Sequence, residues 1–191
     1  MRANLFQTDQ SRGVFKWQPK KIAVIVTDGV EDVELTQPRQ ALVEAGYQPI
    51  LIGTEAGQII HGKKGTEFNI DQSIADVNMS DFQALFIPGG YSPDHLRADQ
   101  RFVDFTSEFM EKRRPIFAIC HGPQLFITAG IAHGKKMTAY KTVQKDLEYA
   151  GAKVSDQAVV EDGPLITSRN PGDISEFNEA IVKYLKTIPA T

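Results

Sequence analysis

Cys120 is the single cysteine of this 191-residue chain, and it stands where a short apolar run, Ile116 to Ile119, gives way to Cys120-His121-Gly122-Pro123. A thiol set between a buried strand and a helix start occupies a sharp turn that exposes its sulfur and faces unpaired backbone N–H groups. The helix dipole there favours the thiolate, so the placement predicts a thiol lowered by one or more units from ~8.5 and nucleophilic near neutral pH. Against this stands the ordinary role of a free cysteine as inert buried filler. His121 is a candidate general base. Side chains adjacent in sequence diverge on a helix, so its contact with the sulfur depends on the turn.

Two further clusters could serve that sulfur. Pro88-Gly89-Gly90-Tyr91-Ser92-Pro93-Asp94 follows the apolar run Ala84 to Ile87. Its glycine pair suits a plain tight turn. It also suits a backbone N–H aimed at an oxyanion, which with the N–H of His121 makes a two-donor hole worth ~3 to 4 kcal/mol per donor. The other cluster, Thr27-Asp28-Gly29-Val30-Glu31-Asp32, is either a solvated acidic turn capping the next helix or the source of a functional carboxyl. Protonated in a partly dry pocket, Glu31 could donate a hydrogen bond to sulfur and share one proton with Cys120. His61, His95 and His133 have no metal-ligand spacing and read as surface residues, so no metal site and no cofactor are expected.

Positioning these clusters requires alternating strands and helices. Ile22 to Val26 reads as a buried strand, a helix through Leu35, Ala41, Leu42 and Val43 stops at Gly46, and a second strand follows at Pro49 to Ile52. Residues 57–70, with Gly57, Gly62 and Gly65, suit a short antiparallel excursion. Alternation resumes with strand Ala84 to Ile87, a helix over about Arg101 to Lys112, strand Ile116 to Ile119 and a helix reaching Gly130. Short strands near Val154, Val159-Val160 and Leu165-Ile166 precede a C-terminal helix from about Ile174 to Leu185. Unbroken apolar strands separated by helices predict a mostly parallel sheet covered on both faces, with ligands bound beyond the carboxyl ends of the strands. All three clusters fall at that edge. The organisation is an N-terminal extension over residues 1–20, carrying Phe15 and Trp17 and draping over a single domain at 21–187.

Composition narrows the partners. Hydrophobic residues make up 41%, charged residues 24%, and 21 Lys plus Arg face 24 Asp plus Glu for a net charge of −3. No basic surplus is present to neutralise a phosphate backbone, so nucleic acid is not an expected partner. No apolar run approaches the ~20 residues of a membrane helix, and a lone cysteine without a secretory leader fits the reducing cytoplasm.

Val30-Glu31-Asp32-Val33-Glu34-Leu35, Pro88-Gly89-Gly90-Tyr91-Ser92-Pro93-Asp94 and Ala118-Ile119-Cys120-His121-Gly122-Pro123 together resemble the PfpI family of intracellular proteases and deglycases, within the class I glutamine amidotransferase-like superfamily, from about Lys21 to Leu185. The resemblance implies a flavodoxin-like three-layer sandwich. It implies Cys120 as nucleophile, His121 as acid–base partner, Glu31 as the carboxyl beside the sulfur, and Gly90 and His121 as oxyanion donors. It implies a homodimer, sometimes a hexamer, in which Asp94, one methylene shorter than the family's glutamate, reaches the histidine of a neighbouring subunit. Ala118 replaces a glycine common in related elbows. The implied activity is a stress-protective cysteine hydrolase acting on small aldehyde adducts or peptides, as deglycase, intracellular peptidase or cofactor-free glyoxalase. The alternatives are a non-enzymatic peroxide sensor oxidised at Cys120 and a chaperone or structural subunit with a vestigial site.

Overall fold

A computed structural model describes residues 6–8, 15–17 and 20–188. Two short strands, β1 (Phe6–Thr8) and β2 (Phe15–Trp17), pair antiparallel with Phe6 opposite Trp17. The rest of the extension, and with it the expectation that it drapes over the domain, lies outside the described residues.

From Lys20 the chain alternates: β3 (Lys20–Ile25), α1 (Asp32–Glu44), β4 (Tyr47–Gly53), β5 (Ile59–His61), β6 (Glu67–Asn69), β7 (Gln72–Ser73), β8 (Ala84–Ile87), α2 (Ser92–Leu96), α3 (Gln100–Glu111), β9 (Ile116–Ile119) and α4 (Gln124–Thr128). Then come β10 (Lys136–Met137), α5 (Lys141–Tyr149), β11 (Lys153–Val154), β12 (Val159–Asp162), β13 (Leu165–Ser168) and α6 (Ile174–Thr187). Seven strands form one sheet in the order β12-β13-β9-β8-β3-β4-β7, parallel throughout except for β12 on β13. This is the flavodoxin-like α/β sandwich.

Period-two alternation along buried strands sends successive side chains to opposite faces. Ala23, Ile25, Leu85, Ile87, Ile116 and Ala118 pack with Phe102, Phe109, Phe126 and Leu147 from α3, α4 and α5. Ile22, Val24, Phe86, Phe117 and Ile119 pack on the other face with Leu35, Leu42, Phe177 and Ile181 from α1 and α6. Both faces are therefore covered, which is why the strands read as continuous apolar runs.

The excursion at 57–70 is the antiparallel hairpin β5–β6, with Ile60 opposite Phe68. Two helices, α2 and α5, lie where no periodic pattern marked one. The helix after Cys120 is shorter than its sequence suggested: three turn residues intervene before α4 begins at Gln124, and it ends short of Gly130.

The order of strands reverses between β3 and its neighbour β8: the chain leaves β3 toward β4 and β7, then returns to β8 and β9 on the other side. Loops leaving β3 and β8 therefore diverge and open a crevice at this switch point.

Candidate active site

Three loops meet in that crevice because backbone hydrogen bonds lace them together. The loop after β3 bridges to the loop after β8 through Tyr91 N–H donating to Gly29 O (2.8 Å) and Glu31 N–H donating to Gly89 O (3.3 Å). Buried Ser92 ties the same pair, its Oγ accepting from Thr27 N–H at 2.9 Å. Cys120 joins through its N–H to Ser168 O (3.1 Å), and its carbonyl accepts from Tyr140 N–H at 2.8 Å.

Cys120 has φ +61°, a left-handed conformation that a residue with a side chain holds only when its surroundings enforce it. The strained turn aims the side chain back over the Gly89-Gly90 segment. A Cβ at Gly89 would collide with both the Glu34 carboxylate and Cys120 Cβ, leaving no room for a side chain there. Gly90 has φ +77° and lies against the backbone of Gly29 to Glu31. These two positions accept only glycine, so the pair is more than a loose turn.

The sulfur's neighbours are a histidine, a carboxyl and two amides. His121 Nδ1 lies 3.2 Å from Sγ, and the half-buried ring stacks on Tyr140 with centroids 4.9 Å apart. The same turn overcomes the divergence expected of adjacent side chains. The backbone N–H groups of Gly90 and His121 both reach the sulfur and favour its anionic form. The two amides expected at an oxyanion hole thus converge on one atom.

The carboxyl beside the sulfur is Glu34, not Glu31. Glu34 is fully buried and hydrogen-bonds Cys120, and its Oε2 accepts from Gly89 N–H at 3.1 Å. Its Oε1 is shut away from water and has no hydrogen-bond partner among the described residues. Glu31 instead turns to the rim, where its Oε2 pairs with Lys63 Nζ at 3.1 Å. The correction follows from helical spacing: Glu34 shares the buried stripe of α1 with Leu35, Pro38 and Leu42, whereas Glu31 precedes the helix and is carried off that face.

Burial pushes the Glu34 carboxyl up to about 7, against the opposing hydrogen bonds from Cys120 and Gly89. Burial, then the Glu34 charge and hydrogen bond, raise the Cys120 thiol as well; the Gly90 and His121 amides oppose them. The lowered thiol anticipated from a helix dipole is therefore not what this environment produces, since α4 starts four residues beyond the sulfur. Nor is the sulfur openly exposed, Cys120 being 5% accessible. Glu34 and Cys120 form a pair that loses its first proton near neutrality and holds its second tightly. His121 is lowered, first by burial and then by Lys63, with Asp94 acting the other way, so its imidazole is neutral at pH 7.

Asp94 is exposed, 64% for its side chain, and lies 3.7 Å from Arg97 in an i,i+3 ion pair within one chain. Its field reaches His121 without a hydrogen bond to it among the described residues. His61, His95 and His133 are on the surface. No cluster of three metal-ligating side chains is found among the described residues, and no helix among them is long and apolar enough to cross a membrane. Sequence reasoning missed Glu34, Lys63 and Tyr140.

The DJ-1/PfpI family model matches residues 20–184. The chain belongs to the DJ-1/PfpI family. Among DJ-1/PfpI proteins, it is 49% identical over 167 residues to the "Putative cysteine protease YraA" of Bacillus subtilis, covering 87% of this chain and 99% of that one. It is 48% identical over 168 residues to the "Protein/nucleic acid deglycase 2" of Escherichia coli, covering 87% and 98%. The solved structure of Drosophila melanogaster DJ-1beta superposes with a TM-score of 0.81 at 29% identity, covering 88% of this chain and 91% of that one. The names of these relatives suggest a hydrolase in this family.

Proposed function

We propose that this DJ-1/PfpI protein is a stress-protective cysteine hydrolase of glycated or peptide substrates, with Cys120 as nucleophile. The observation that carries the reading is a strained Cys120 whose sulfur meets a neutral histidine, a buried carboxyl and two backbone donors at once. A carboxyl and a thiol sharing a proton, each with its affinity raised, are groups an ordinary fold has no reason to bury together.

On a peptide substrate the chemistry runs as acyl transfer. His121 Nδ1 takes the thiol proton as Sγ forms a bond to the carbonyl carbon. The developing oxyanion is met by the N–H groups of Gly90 and His121. On collapse the carbon–nitrogen bond breaks and the imidazolium returns its proton to the departing amine. Water then adds to the thioester and regenerates the thiol and a carboxylic acid. Protonated Glu34 holds the sulfur by an O–H···S hydrogen bond before attack.

Fluorogenic peptides and methylglyoxal-modified amino acids, assayed side by side with wild type and Cys120→Ser, test the proposal. Turnover of either class that Cys120→Ser abolishes, with the fold intact by circular dichroism, supports it. Neither class turning over, while peroxide adds oxygen to Cys120 by mass, would replace it with the sensor reading.

A further inference from the structure

We infer that Lys63 is the specificity-determining residue of this site, receiving the carboxylate of an anionic electrophile as Cys120 attacks the neighbouring carbon. The inference rests on the reading of Cys120 as nucleophile and names the substrate class that reading leaves open.

Lys63 is placed by construction rather than by the chance reach of a surface side chain. It occupies the turn between β5 and β6, and that turn is fastened to the rim of the crevice at several points. Lys63 N–H donates to Val30 O at 2.8 Å, and Gly29 N–H donates to His61 O at 2.7 Å. Buried Asp32 accepts from Lys64 N–H (Oδ2, 2.9 Å) and Thr66 N–H (Oδ1, 3.3 Å). Gly62 packs so closely on that carboxylate that a Cβ there would collide with it. A hairpin otherwise facing solvent is thereby held over the loop that leads into α1.

From this turn the ammonium reaches the mouth. Nζ lies 3.1 Å from Glu31 Oε2 and 5.2 Å from the centroid of the Tyr91 ring, on the Gly89-Gly90-Tyr91 segment that also presents an oxyanion donor. Its side chain is 38% exposed, so water and ligands reach it. Its field is felt at Cys120, at Glu34 and at His121. The other titratable groups bearing on the mouth are Cys120, Glu31, Glu34, His121 and Asp94, the last paired with Arg97 at 3.7 Å. A substrate carboxylate entering beside Cys120 is met by Lys63, and Glu31, 15% exposed, is the group it must displace. Glu31 is then a counter-ion that holds Lys63 ready and sets a threshold against weakly charged ligands.

A pair of near-isosteric alkylating reagents isolates the effect. Iodoacetate and iodoacetamide both form a carbon–sulfur bond at Sγ with loss of iodide, and they differ only in the carboxylate. The ratio of their second-order rates at Cys120 cancels changes in thiol ionisation common to both. Lys63→Met is expected to lower the iodoacetate-to-iodoacetamide ratio about fivefold, the scale of a partly exposed ion pair. Glu31→Gln is expected to raise it. The double variant Lys63→Met/Glu31→Gln stays below wild type, whereas a lysine present only to neutralise Glu31 would return the ratio to wild type there. An unchanged ratio in Lys63→Met with Cys120 still labelled overturns the subsite alone. Failure of both reagents to label Cys120 overturns the nucleophile reading.

Discussion

At the residue scale the decisive group is Glu34, and burial makes it visible through stability. Its carboxyl is raised from its ordinary range to about 7 in the folded chain, so the native state binds a proton that the unfolded chain releases. A group raised in this direction contributes stability that is fully present below its unfolded pKa and is lost as pH climbs through its folded pKa. Stability is expected to fall between about pH 4.5 and 7 by about 3 kcal/mol from this group alone. Denaturant midpoints across that window check it: Glu34→Gln should flatten the decline, and Glu31→Gln, which removes one like charge that raises Glu34 but leaves its burial, should reduce it only in part. The sequence showed four acids close together, Asp28, Glu31, Asp32 and Glu34, without separating them. The fates of the last three diverged with their place relative to α1: Glu34 faces the sheet with Leu35 and Pro38, Asp32 in the first turn staples a hairpin, and Glu31, on extended backbone before the helix, pairs with Lys63 at the rim.

At the element scale the turn between β5 and β6 depends on a carboxylate two elements away. Asp32→Ala leaves the amides of Lys64 and Thr66 without their acceptor, a loss expected to cost about 1 to 3 kcal/mol. Hydrogen exchange should locate the damage, with faster exchange across residues 61–66 and unchanged protection in β3, β8 and β9. Uniform loss of protection would show instead that Asp32 supports the whole fold. Strands and the main helices were legible because burial on both faces writes continuous apolar runs, as in Ile22 to Val26 and Ile116 to Ile119. The hairpin was legible from Gly57, Gly62 and Gly65. What escaped was short or long-range. α2 is five residues, too brief for a periodic pattern, and α5 buries only Val143 and Leu147. The alignment of Tyr140 with His121 joins residues 19 positions apart through a hydrogen bond to the Cys120 carbonyl.

At the scale of the whole molecule, the site is nearly complete within one chain. Cys120, His121, Glu34 and the two amides meet without help, and only Asp94 stands apart, exposed beside Arg97. We propose that Asp94 serves a second copy of the chain. Dilution through dissociation of a homodimer should then lower specific activity, and Asp94→Ala should cost less than Cys120→Ala. Full activity in a stable monomer, measured by sedimentation alongside the assay, contradicts a role across an interface. The site's place in the molecule was readable in outline, because the three loops had to emerge at one edge of a parallel sheet. Which carboxyl faced the sulfur was not, because Glu31 sits on extended backbone ahead of α1 while Glu34 lies on the buried face of its first turn, a boundary the residue types do not mark.

The pH dependence of Cys120 alkylation by iodoacetamide tests the proton-sharing pair most directly. With one proton shared between sulfur and Glu34, the rate should climb to about pH 7 and then level, since the second proton leaves only at far higher pH. Glu34→Gln should abolish the plateau and restore a single rise of about tenfold per unit toward the thiol's own pKa. A single uninterrupted rise in the wild type, or a plateau that survives in Glu34→Gln, would contradict the account.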